Sequence, residues 1–84
     1  MLKTIYYYKD SRGKDPIKDF IDSLDTSNQQ KVLAYIDLLK EYGHNLRRSI
    51  ADYIGEGLYE LRPKGNRMFY FFFLKDCAVL VHAI

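Results

Sequence analysis

The chain opens with Leu2-Lys3-Thr4-Ile5-Tyr6-Tyr7-Tyr8, rich in the β-branched and aromatic side chains of strands, and breaks at Asp10-Ser11-Arg12-Gly13, a cluster of turn formers. A first strand and a loop are predicted. Asp15 before Pro16 marks a helix start, because a carboxylate can accept from the free amides and proline lacks only an N–H that would be unpaired there. Ile17, Phe20, Ile21 and Leu24 continue it as one apolar stripe. A second helix begins near Asp25-Thr26-Ser27, where either hydroxyl has a glutamine (Gln29 or Gln30) three residues on, as in a capping box, and it ends at Gly43. Its stripe of Val32, Leu33, Tyr35, Ile36, Leu39 and Tyr42 is too wide for one seam, so part faces the sheet and part something else. From Gly43 to Gly57 the pattern predicts an irregular linker.

The segment Leu58–Ile84 alternates as three antiparallel strands joined by two-residue loops, Gly65-Asn66 and Lys75-Asp76. These loops set Lys64 opposite Arg67, Arg62 and His82 opposite Phe69, and Phe73 opposite Ala78. With side chains alternating at period two, Glu60, Arg62, Lys64, Arg67 and His82 share one face, while Tyr59, Leu61, Met68, Tyr70, Phe72, Val79 and Val81 take the other as core. The order strand, helix, helix, three-stranded meander argues for an α+β domain with its helices packed on one sheet face. The opposite face is left for function.

Length and composition narrow this picture. At 84 residues the chain suits one domain with a small core, and 48% hydrophobic residues with eight Tyr and five Phe exclude a disordered composition. A formal charge of +2 is too small to imply nucleic-acid binding by itself, so the placement of charge matters more than its sum. The single Cys77 cannot form an intramolecular disulfide, no segment has the flanks of a signal peptide, and none reaches the roughly 20 apolar residues of a membrane span. A cytoplasmic protein is expected.

The charged face suits a phosphodiester. Guanidinium groups can donate paired hydrogen bonds to phosphate oxygens as negative charge builds on them, which fits Arg62 and Arg67. Arginine cannot take a proton from an attacking hydroxyl, so His82 and Glu60 are the candidate proton carriers, and Lys64 is an electrostatic contact or a general acid. With two histidines, one cysteine and no HxxxH or CxxC spacing, no metal site is expected. RNA supplies its own 2′-hydroxyl nucleophile, and cleavage then needs only base, acid and charge stabilisation. Phe69 is a candidate base-stacking residue, while Phe71 and Phe73 on the same face are expected beneath a covering helix. Arg47 and Arg48 form a second basic cluster, either a solvated linker or an RNA backbone contact. The plainer alternative for the whole face is a set of charges that keeps an antiparallel sheet soluble.

The run GLYELRPKGNRMFYFF followed by an apolar strand resembles the phage-derived, HigB-like branch of the RelE/ParE superfamily, toxins of type II toxin–antitoxin systems. Leu58-Tyr59-Glu60-Leu61-Arg62, with Arg67 and Tyr70 beyond it, carries the likeness. The resemblance implies a small cytoplasmic, ribosome-dependent mRNA endoribonuclease without a cofactor, held inactive by a cognate antitoxin, a helix-turn-helix protein through which alone operator DNA is contacted. Arg67 and Arg62 match basic positions that such a likeness assigns to phosphate and transition-state contact, and Glu60 stands where related enzymes can carry lysine. Relatives usually continue past the last strand with a basic stretch and a helix, so the single domain 1–84 is expected to lack that segment. Two other functions stay open: a ParE-like gyrase-inhibiting toxin, and a non-catalytic protein-binding module.

Overall fold

The computed structural model describes residues Met1–Ile84. Strand β1 (Thr4–Tyr7) is followed by helices α1 (Pro16–Asp22) and α2 (Thr26–Tyr42), a 3-10 turn at Gly43–Asn45, and strands β2 (Ala51–Gly55), β3 (Leu58–Leu61), β4 (Met68–Phe73) and β5 (Cys77–Ala83). The sheet order is β1-β5-β4-β3-β2, with β1 parallel to β5 and the other pairs antiparallel. The fold is α+β, but the sheet has five mixed strands rather than a three-stranded meander. The missed strand is β2. It lies in the supposed linker and turns into β3 through Glu56-Gly57, both at positive φ (54° and 84°), the geometry of a tight hairpin whose twist matches its strands.

Both helix starts follow from local chemistry. Asp15 accepts from the Lys18 amide at 3.0 Å, and Asp25 accepts from the Asn28 amide at 2.8 Å, so the carboxylate of Asp25 caps α2 rather than a hydroxyl. Gly43 closes α2 at φ 53°, and a Cβ there would stand 3.1 Å from Leu2 Cδ2, so the position rejects larger residues twice over. The Leu2 amide bonds the Lys40 carbonyl at 2.7 Å beside it. Ile17 and Ile21 of α1 and Val32, Ile36 and Leu39 of α2 pack onto Leu61, Met68, Tyr70, Ala78 and Leu80 of the sheet. Leu33 and Tyr42 of the wide stripe face solvent.

The strand registers differ from expectation in two instructive ways. Glu60, not Arg62, stands opposite Phe69, because the β3–β4 connection is a longer loop with a 3-10 turn at Pro63–Gly65. Proline cannot donate to a ladder, so the strand ends before Pro63. A slip of two residues keeps every side chain on its face, and Leu61 and Met68 remain core.

Between β4 and β5 the loop is Leu74-Lys75-Asp76, and Phe73 pairs with Cys77 instead of Ala78. That slip of one residue flips the faces. Ala78 and Leu80 fill the core in place of the expected Val79 and Val81. A bulge at Val81 then restores the count, and His82 lies opposite Phe69 as the sequence predicts.

Candidate functional site

The helices cover one face of the sheet, and on the other a row of cross-strand partners runs Asp52, Glu60, Phe69, His82 from β2 to β5. Glu60 is the centre of this row. Its side chain is 4% exposed, although carboxylates are seldom buried unless paired. The pairing comes from two guanidiniums. Arg67 donates through Nη2 to Glu60 Oε2 at 2.6 Å, and Arg62 donates through Nε to Glu60 Oε1. Arg62 leaves β3 just after its last paired residue and Arg67 precedes β4, so the loop itself brings the two groups back over Glu60.

Their exposures define what remains available. The Arg62 and Arg67 side chains are 65% and 42% exposed, so both present unshared N–H groups to solvent while held by one carboxylate. Hydrogen bonding from Arg67, then the contact with Arg62, holds the Glu60 carboxyl below the usual carboxylate range against the opposing effect of burial. Glu60 in turn raises the Arg67 guanidinium further. Arg67 Nε is sealed from solvent without a partner. The Arg67 guanidinium also lies 5.3 Å from the Phe69 ring centre, and Phe69 stacks on His82 at 5.9 Å with planes 21° apart. The structure thus joins Glu60, Arg62, Arg67, Phe69 and His82 in one cluster.

Other expected members lie elsewhere. Lys64, at φ 54° in the 3-10 turn, reaches the helix side and donates to Ser27 Oγ at 2.8 Å, so it does not share the arginine face. Arg47 lines a separate hollow with Leu38, Tyr42 and Ile50. Arg48 is closer: it stands 3.7 Å from Asp52 and lines, with Asp52, Glu60 and Arg62, a shallow cleft of about 170 Å³. Phe71 and Phe73 have no covering helix. They are exposed, because the helices pack on the opposite face, and with Leu58, Val79 and Tyr6 they form an apolar strip beside the charged row.

Asp52 and His44 were not legible as site neighbours. Asp52 required strand β2, whose signal was the Gly55-Glu56-Gly57 turn after a Tyr-Ile pair. His44 stacks on Phe72 with ring centres 3.8 Å apart, a contact across many residues that periodicity does not encode.

A two-helix layer on one sheet face and two arginines held by one carboxylate on the bare face define a small α+β protein. Residues 19–84 match the family described as Phage derived protein Gp49-like (DUF891), and with most of its length matched the chain belongs to that family, in general one of RelE/HigB-like toxins. No curated protein matches the chain. No helix is long and apolar enough to cross a membrane.

Proposed function

We propose that this protein is a type II toxin acting as a ribosome-dependent mRNA endoribonuclease. The observation that carries the reading is the convergence of Arg62 and Arg67 on Glu60 in the open face, two strands from His82. A phosphodiester set against the free N–H groups of both arginines would meet them already oriented, and preorganised donors are what stabilise developing charge. His82 then takes the proton of the adjacent 2′-hydroxyl, the 2′-oxygen bonds to phosphorus as the P–O5′ bond breaks, and the leaving 5′-oxygen takes a proton from solvent, giving a cyclic phosphate and a free 5′-hydroxyl. Glu60 is poorly suited to proton transfer. Its oxygens are engaged by two cations that favour the ionised form, so its role is to aim the guanidiniums.

A cognate antitoxin completes the reading, and the exposed strip of Tyr6, Phe71 and Phe73 offers such a partner an apolar seat. Operator DNA would be reached through that partner. The test is expression with mapping of transcript ends. Growth arrest with new 5′-hydroxyl ends on translated mRNA is expected, with cleavage falling about 10²–10³-fold in Arg67→Ala, the usual loss of one oxyanion donor. Arrest of equal strength in Arg67→Ala overturns the assignment, and inhibited supercoiling with intact mRNA selects a gyrase poison instead.

A further inference from the structure

The sheet face that carries the helices is not wholly covered. Beyond the end of α2 a cavity of about 280 Å³ opens between the Gly43–Asn45 turn and strands β2 to β4, walled by His44, Tyr53, Tyr59, Tyr70 and Phe72. Its size lies just under the usual range of about 300–1,000 Å³ for small-molecule sites, which suits one flat ring system.

Two features separate it from an ordinary gap in an aromatic core. Tyr70 is 1% exposed and its hydroxyl is paired with no group of the chain, without being sealed from solvent, whereas the Tyr53 hydroxyl accepts from the Gly57 amide at 3.0 Å. Tyr70 lines the cavity, so a hydroxyl that no protein group engages is left there to meet a ligand. Burial also raises the Tyr70 phenol above its ordinary range, so it stays a donor. The second feature is position. Arg48 and Asp52 line both this cavity and the shallow cleft that holds Glu60 and Arg62, so the two spaces adjoin around edge strand β2.

We propose that this cavity receives one base of the RNA strand whose phosphate lies on Arg62 and Arg67, with Arg48 meeting the backbone as it rounds the β2 edge. The inference rests on the nuclease reading and extends it to base recognition. Stacking on the outer face of His44, whose other face lies on Phe72, holds the ring, and the Tyr70 hydroxyl donates to a ring nitrogen or carbonyl. Every base has a flat face, and those acceptors differ between bases, so the contact selects among them.

The experiment is a nuclear magnetic resonance titration of the whole protein with a 2′-O-methylated trinucleotide, which lacks the attacking hydroxyl, and with versions made abasic at each position. The expected result is that ring signals of His44, Phe72 and Tyr70 shift with the intact trinucleotide, and that one abasic version loses those shifts while keeping shifts at the arginine side chains. His44→Ala should weaken binding about fivefold or more, the loss of one stacking partner, and Tyr70→Phe should weaken it with the fold unchanged. Cavity signals that never move, or that move equally with every abasic version, overturn the proposal. Binding is read without cleavage. Base-dependent shifts in a protein that fails to cut mRNA would sink the nuclease reading alone, whereas cleavage with a silent cavity would sink this one.

Discussion

Glu60 lies in β3 and Arg67 just before β4, yet Nη2 of Arg67 lies 2.6 Å from Oε2 of Glu60, and the loop that joins β3 to β4 exists in a form that makes this contact possible. Pro63 and Lys64 fold that loop back, and the Arg67 amide and carbonyl pair with Ile84 at 2.9 Å in each direction. The guanidinium is therefore anchored by backbone on one side and by a carboxylate on the other. Site geometry and sheet geometry are the same thing here.

Glu60→Gln should lower stability by about 1–2 kcal/mol near neutral pH, toward the low end for charge-assisted bonds because both guanidiniums face solvent. The folded carboxyl titrates below its unfolded value, so its contribution is full above about pH 5 and is lost as pH falls through the folded pKa. Urea unfolding of both proteins from pH 7 to pH 3 checks this. The gap between them should close on acidification, and a constant gap would remove the ion pair from the account.

Leu80→Ala should cost about 2–5 kcal/mol, the range for a buried leucine, while Val79→Ala on the open face should cost less than about 1 kcal/mol. Chemical denaturation distinguishes them. A register without the one-residue slip would reverse the order.

Leu74 holds φ 60° at the β4–β5 turn with its side chain largely exposed. Leu74→Asn should stabilise by about 0.5–1 kcal/mol, since asparagine tolerates that conformation better and little apolar contact is lost. A raised melting temperature is the expected reading.

Cys77 is buried, and burial, with help from Asp76, pushes its thiol up. Alkylation by iodoacetamide at pH 8 should be slow in the native protein and fast in urea. Equal rates would place β5 elsewhere.

The likeness to toxins was legible because it sits in a short run whose residues are close in sequence, Leu58 to Tyr70. Helix α1 and the Gly43 stop were legible for a similar reason: capping and stop signals act within one turn. Arg62, Arg67 and His82 share one face, as the sequence predicts, because the β3–β4 slip is even and the bulge at Val81 cancels the odd one. Lys64 does not share it, since a residue in a 3-10 turn no longer obeys strand alternation.

What the residues alone determined is therefore local: the two helices, the strands other than β2, the apolar stripe of α1, and that two arginines flank one turn. Tertiary structure decided the rest. Whether Phe71 is covered, whether β2 completes the sheet, and whether Glu60 becomes the common acceptor of two guanidiniums depend on contacts between distant segments. Such contacts form only when the free energy of burying the whole core outweighs the entropy of ordering the chain, a balance no short window of sequence contains.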